Sequence, residues 1–326
     1  MVLTNLLRDM LRRRDVERTP VLSIVVNFYN NRREALNTLH SLTRSYQLDA
    51  QDIPYEVIAL DNGSSLPLAD ADVRAFGPEF QYRFMQTTAV TPAPAINAAC
   101  REAIGERLLV IVDGAHILSP GILNRAHEAF ERFPSPFAVT VPFHLGPKIQ
   151  NKSVQEGYNQ QIEDYLLANS RWKENGYRLY SIAGAFADDS CGWYGQLFES
   201  GCFAICKSDF LRLGGFDEAF TSPGGGLTSL DFFQRALLAK GMDYVVMLGE
   251  GTFHQVHGGI ATNAPVNDHP WEGFHQEYIR IRGHRYTRVR RKPKYIGAVP
   301  PEAAEIADFS RKAGEEIWRT RPALVE

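Results

Sequence analysis

The stretch ERLLVIVDGAHILSP, Glu106 to Pro120, constrains this chain more than any other. Its apolar run from Leu108 to Val112 reads as a strand hidden on both faces of a parallel sheet, delivering Asp113 to the strand's carboxyl end. In open α/β sheets ligands sit in the crevice beyond those ends, where a carboxylate can hold a cation or meet a phosphate through one. The same Asp can instead cap a helix starting near Ser119.

The preceding chain repeats the pattern. LSIVVNFY, Leu22 to Tyr29, is a β-branched apolar run followed by Asn30, Asn31 and a helical stretch to about Tyr46. YEVIALDNGSS begins a second unit at Tyr55, whose strand ends on Asp61 before a turn at Asn62 and Gly63. A short strand over Tyr82–Thr87 and a helix over Ala95–Gly105 then lead into the central strand. This alternation predicts an open, largely parallel sheet with helices on both faces. Asn27, Tyr29 and Asp61 line one crevice if their strands are neighbours, and a carboxylate there accepts a hydrogen bond from a base imide or a ribose. Taken singly, such residues are more often turn formers. There is no GxGxxG and no GxxxxGK[ST], so phosphates must be met in another way.

Size and charge narrow the class. With 326 residues the chain has room for a main domain with an appendage, and a net charge of -3 offers no general attraction to nucleic acid. No apolar run reaches the roughly 18 to 20 residues that cross a bilayer, which sets the expectation of a cytoplasmic protein. Cys100, Cys191, Cys202 and Cys206 lack CxxC spacing and read as buried free thiols. Residues 1–19 read as a basic amphipathic helix. Its apolar stripe suits docking on this protein, on a second copy in a homodimer, or on the inner face of an anionic membrane as a peripheral contact.

Four motifs in this order carry a resemblance: SIVVNFYN at Ser23–Asn30, ALDNGSS at Ala59–Ser65, AINAACREAIGERLLVIVDGA at Ala95–Ala115, and CFAICKSDFLRLGGFDEAF at Cys202–Phe220. Over about residues 20 to 258 the chain resembles the family 2 glycosyltransferases of the GT-A fold. The resemblance implies a Rossmann-like open mixed α/β sheet with helices on both faces, plus terminal helical extensions. The expected organisation is an N-terminal helix at 1–19, a catalytic domain at 20–260 (nucleotide-binding half 20–118, acceptor half 119–260), and a basic extension with a helix at 261–326. The implied activity moves a sugar from a nucleotide-sugar, with a UDP-sugar favoured, to a hydroxyl of a glycan or lipid-linked acceptor. The alternative is a non-catalytic nucleotide-sugar-binding or scaffold module. By the same resemblance Asp61 reads the base, Asn27 and Tyr29 belong to the base and ribose pocket, Asn97 stands near the donor, and Asp113 is the first acid of a metal-binding Asp-x-Asp motif.

Two departures from the family pattern matter. Ala115 stands where the second acid of the motif belongs, so a cation needs a ligand from His116, or from His254 and His257 in GTFHQVHGG. Imidazole with carboxylate and phosphate oxygens suits Mn2+ better than Mg2+. Thr228 and Ser229 stand where an acidic pair belongs, which leaves Asp231 as the nearest general base, although Asp231 and Arg235 are also spaced to pair on a helix. Asp188, Asp189 and Glu199, all near the acceptor side, are the other candidates for that base. Trp172, Trp193 and Tyr194 suit either sugar stacking or packing. Residues 280–294 hold six Arg and two Lys with no acid, which suits a solvated face, a diphosphate clamp, an acidic glycan or an anionic membrane.

Overall fold

In the computed structural model, residues 20–185, 191–259, 262–263, 270–321 and 323 are described. The expected N-terminal helix, Asp188 and Asp189 lie outside them. Leu22–Phe28 (β1) is buried at every position, as its continuous apolar run requires, and leads through Asn30 into Arg32–His40 (α1). Asn30 takes a φ of 52°, a left-handed conformation that Asn tolerates, and its side chain ties the turn to the Ser65 backbone and hydroxyl. Tyr55–Asp61 (β2), Asp70–Arg74 (α2), Phe80–Phe84 (β3), Ala93–Glu102 (α3) and Arg107–Ile111 (β4) complete the first half.

His116–Leu118 (β5), Ile122–Arg132 (α4), Pro136–Leu145 (β6), Gln150–Gln155 (α5), Gln160–Ser170 (α6) and Ala183–Ala185 (β7) follow. Next come Cys202–Cys206 (β8), Lys207–Arg212 (α7), Thr228–Leu238 (α8) and Asp243–His254 (β9). Trp271–Arg282 (α9), Lys294–Gly297 (β10) and Ala304–Thr320 (α10) end the described chain. No described helix is long and apolar enough to cross a membrane.

Among the described residues the main sheet runs β10-β9-β6-β8-β4-β1-β2-β3, with β5 on β9 and β7 on β6. It is mixed rather than largely parallel. β1, β2, β3 and β4 are parallel, but β8 enters antiparallel between β4 and β6. The apolar run of β8 reveals burial but not direction.

The core lies on both faces of the sheet. Val25, Leu60, Val110, Phe203 and Phe232 share one cluster, while Ile24, Ala59, Leu109, Leu39 and Leu123 share another. Phe232 is 1% exposed, stacks on Phe203, meets Phe137 edge-on and packs at a tilt against Phe210 and Phe216. Truncating such a ring to Ala costs about 3–5 kcal/mol. Trp172 and Trp193 lie in the same cluster, and the Trp193 indole donates to Glu250 O at 2.8 Å. The four cysteines are free thiols.

The basic C-terminal segment is built into this framework. β10 pairs parallel with β9, Arg291 donates to Leu237 O and Met242 O, and Lys294 pairs with Asp243. The Arg288 guanidinium lies 4.3 Å from the Phe198 ring. Much of the run thus closes helix ends and strand edges.

Candidate active site

The site begins where β4 ends. Gly114 N donates to Asn27 O at 2.7 Å, and a Cβ at Gly114 would enter the Phe28 ring, so only glycine lets the chain turn this close to β1. The turn passes directly into β5, which pairs antiparallel with β9 so that His116 faces His254. A register irregularity between Val139 and Val141 of β6 lets β9 continue toward this end, where it pairs with both β6 and β5. Backbone register therefore brings His254 beside Asp113, although 141 residues separate them in sequence.

Three ligand atoms converge. Asp113 Oδ2 lies 3.2 Å from His254 Nε2 and 3.2 Å from His257 Nε2, and the two imidazole nitrogens are 3.1 Å apart. Asp113 Oδ1 accepts from Ala115 N at 3.0 Å, which leaves Oδ2 turned to the histidines. Gln150 of α5 fixes His254. The Gln150 Nε2 donates to Asn263 Oδ1, so its Oε1 faces His254 Nδ1 at 2.7 Å and accepts the proton there. His254 Nε2 is left with a lone pair aimed into the cluster. Asn263 also donates to His257 O, holding the third member.

Electrostatics follow the geometry. Burial pushes the Asp113 carboxyl up, but His257 and His254 outweigh it and hold it well below the usual carboxylate range. Burial pushes His257 down, and Asp113 more than reverses this, so His257 is raised overall. His254 stays lowered, by burial first. The cluster thus holds an anionic Asp113, a neutral His254 and its readiest proton on His257. His116 stands outside it: Nδ1 donates to Asp113 O at 2.9 Å, the ring packs on His254, and burial brings it down to about 4. Ala115 is fully buried and its carbonyl accepts from Gln255, so the position of the missing acid points into packing. Beside His257 a groove of about 610 Å³ opens, lined in part by Tyr158, Gln160 and Asn263.

In the crevice beyond β1 and β2, Asn27 Oδ1 and Asn62 Oδ1 are buried amide oxygens without a hydrogen-bond partner among the described residues. Their Nδ2 groups donate to Val112 O and Thr91 O. Asp61 is differently occupied. It is fully buried, Oδ1 accepts from Ser64 N, and Oδ2 accepts from Leu68 N and Tyr82 OH. Sequence reasoning missed Asn62, although strand alternation holds the signal. Leu60 and Val25 share one core face, so Asn62 and Asn27 follow on that face while Asp61 follows Ala59 onto the other. Tyr29 is 54% exposed at the same end of β1.

Two expected site residues have their side chains engaged within the fold. Asn97 bonds Phe216 N, Phe216 O and Glu218 Oε1, fastening α3 to the GGFDE turn. Asp231 is buried and accepts three guanidinium hydrogen bonds, from Arg235 Nε at 2.8 Å and from Arg282 Nε and Nη2 at 2.7 and 2.8 Å. Arg282 also pairs with Asp217, and Glu277 accepts from the Thr221 and Ser222 backbone. α9 therefore clamps the glycine-rich loop at 222–229.

No curated protein matches the chain. Among solved structures it is similar to S. aureus TarS 1-349, at 16% identity over 72% of this chain and 60% of that one, TM-score 0.44. It is also similar to the mannosyltransferase PcManGT from Pyrobaculum calidifontis in complex with GDP-Man and Mn2+, at 17% identity over 94% and 76%, TM-score 0.46. The S. aureus TarS 1-349 complex with UDP-GlcNAc stands at 14% identity over 92% and 74%, TM-score 0.45. The model of Glycosyl transferase family 2 matches residues 23–211, more than half of the chain. With the mixed sheet, and with that match running from β1 through α7, the chain belongs to glycosyl transferase family 2.

Proposed function

We propose that the chain is a cation-assisted glycosyltransferase that moves a sugar from a nucleotide-sugar, first among them a UDP-sugar, to a hydroxyl of a glycan or lipid-linked acceptor. One observation carries this reading: Asp113, His254 and His257 offer three ligand atoms to a single point beyond the carboxyl end of β4. In sugar transfer, negative charge builds on the departing diphosphate, and a divalent cation supplies the Lewis-acid stabilisation that this charge needs. Asp113 Oδ2 with the two Nε2 atoms would hold that cation. A set of two imidazoles and one carboxylate suits Mn2+ better than Mg2+, which prefers oxygen.

The remaining residues take parts around this point. Asn27 Oδ1 and Asn62 Oδ1 are acceptors placed for an N–H of the base or a hydroxyl of the ribose, and the exposed Tyr29 ring offers a face for the base. Asp61 holds the turn that presents Asn62. Asp231 is used as a tie between α8 and α9, since guanidinium hydrogen bonds engage both of its oxygens.

Calorimetric titration with UDP, UDP-GlcNAc and GDP-mannose, with Mn2+ and again with EDTA, tests the reading. At least one should bind with Mn2+ and weaken strongly in EDTA. Failure of every nucleotide to bind under either condition would overturn it.

A further inference from the structure

The groove beside His257 is walled by the end of α5, the first turn of α6 and the chain after β9. Its volume of about 610 Å³ falls in the range of about 300–1,000 Å³ that encloses a small ligand. No Lys, Arg, Asp or Glu lines it. Apart from His257, its polar side chains are the Tyr158 phenol and the carboxamides of Asn159, Gln160, Gln161 and Asn263.

Hydrogen bonds within the fold hold these walls. Asn159 caps α6 by accepting from Gln161 N and Ile162 N. Val256 N donates to Glu163 Oε2 at 2.8 Å, and Val256 O accepts from Arg33 Nη2 at 3.2 Å. The Gln161 carboxamide, by contrast, makes no hydrogen bond among the described residues. Tyr165 stands one turn further along α6 on the same face and is 69% exposed. A free carboxamide with an exposed aromatic ring one turn away suits a sugar, whose hydroxyls take hydrogen bonds and whose C–H face packs on a ring.

The charge behind the groove selects among sugars. Arg33 pairs with Glu34 at 2.8 Å, Glu163 at 2.6 Å and Asp164 at 2.6 Å, so one cation is set against three acids. Burial pushes Glu163 up to about 7, and with its proton on, the set still carries a negative surplus. An acidic ligand would meet that surplus with no Lys or Arg in the groove to offset it.

The strand order gives the groove its place in the site. β1 and β9 lie on opposite sides of β4. Asn27, on the β1 side of Asp113, donates to Val112 O, while His257 Nε2 stands 3.2 Å from Asp113 Oδ2 on the β9 side. A donor with its nucleoside against Asn27 and Asn62 and its diphosphate on a cation at Asp113 leaves the groove free, on the side away from the nucleoside. Asn159, Gln160, Gln161 and Gly258 are exposed, so the groove stays open to solvent and admits a chain longer than one sugar.

Resting on the glycosyltransferase reading, we propose that this groove is the acceptor subsite and that it takes an uncharged, hydroxyl-bearing glycan in preference to an acidic one.

Calorimetry on the full chain with UDP and Mn2+ tests this, with chitotriose, mannotriose, maltotriose and the acidic trigalacturonate as titrants. At least one neutral trisaccharide should bind at least about 10-fold more tightly than trigalacturonate. Gln161→Ala should weaken that binding about 3- to 10-fold by removing one hydrogen-bonding group. Gly258→Phe should weaken it at least about 10-fold by filling the groove. The backbone at Gly258 is not left-handed and an added Cβ meets nothing within 4 Å, so the ring enters without strain. UDP affinity with Mn2+ should stay within about twofold in both variants, which shows that fold and cation site are kept. Trigalacturonate binding as tightly as the neutral sugars, no trisaccharide binding at all, or affinities that neither substitution moves would overturn the assignment. So would a selective loss of UDP-GlcNAc or GDP-mannose relative to the bare nucleotide with trisaccharide binding intact, because the groove then holds the donor's own sugar. A wild type that binds no nucleotide, with or without Mn2+, sinks the glycosyltransferase reading instead.

Discussion

Asp113 and Asp231 each sit between two nitrogen-bearing side chains, and the two clusters have opposite chemical capacity. Asp231 faces the guanidiniums of Arg235 and Arg282, which are permanent donors without a lone pair, and its side chain is 2% exposed. Nothing in that set can give way to a cation. Asp113 faces His254 and His257, which can exchange a proton for a metal, and its side chain is 34% exposed. The first cluster ties α9 to α8. The second is open to a ligand.

The largest expected effect of breaking this contrast falls on activity. Asp113→Asn removes the one carboxylate of the open cluster, and Mn2+-dependent donor turnover should drop about 10³-fold while the fold is kept. Circular dichroism with a donor-hydrolysis assay checks both halves. Asp231→Ala should do the reverse. It leaves two guanidiniums without their shared anion, so denaturant unfolding should register a loss of about 3 kcal/mol, with Mn2+ affinity little changed. If Asp231→Ala loses Mn2+ binding while keeping its stability, the two clusters have been assigned the wrong way round.

Smaller effects sharpen the comparison. Gln150→Leu frees the His254 ring without touching a ligand atom, and Mn2+ affinity should weaken about 10- to 100-fold. Equal affinity in this variant would mean that the ring is held by packing alone. pH is a gentler probe still. Because Asp113 raises His257, protons compete with the cation already above the ordinary imidazole range, so Mn2+ affinity should decline as pH falls.

Much of the framework was legible in the chain because short, β-branched apolar runs bounded by turn residues read as buried strands. β1, β2 and β4 lie close to where those runs predict, and Asp113 does emerge at a carboxyl strand end. The reversed direction of β8 was not legible, since an apolar run of five residues reads the same both ways. The site divides similarly. The pairing of Asp231 with Arg235 follows from helical spacing, but Arg282 joins it from 51 residues away. His254 was suggested by resemblance, whereas its placement depends on a β5–β9 register that only the folded sheet defines. Gln150, which fixes the His254 ring, lies in an α5 segment that carries no motif of its own. Asn62 was the avoidable miss, because the neighbouring Asp61 carries charge and draws attention from the residue that alternation places in the crevice.

Manganese titration followed by electron paramagnetic resonance tests the central claim most directly. In the wild type, Mn2+ with UDP should give one bound ion per chain, and Asp113→Asn and His254→Ala should each abolish or severely weaken it while leaving Asp231→Ala able to bind. Absence of bound Mn2+ in the wild type with any nucleotide diphosphate, or binding of equal strength in all three variants, would contradict a cation held by Asp113, His254 and His257.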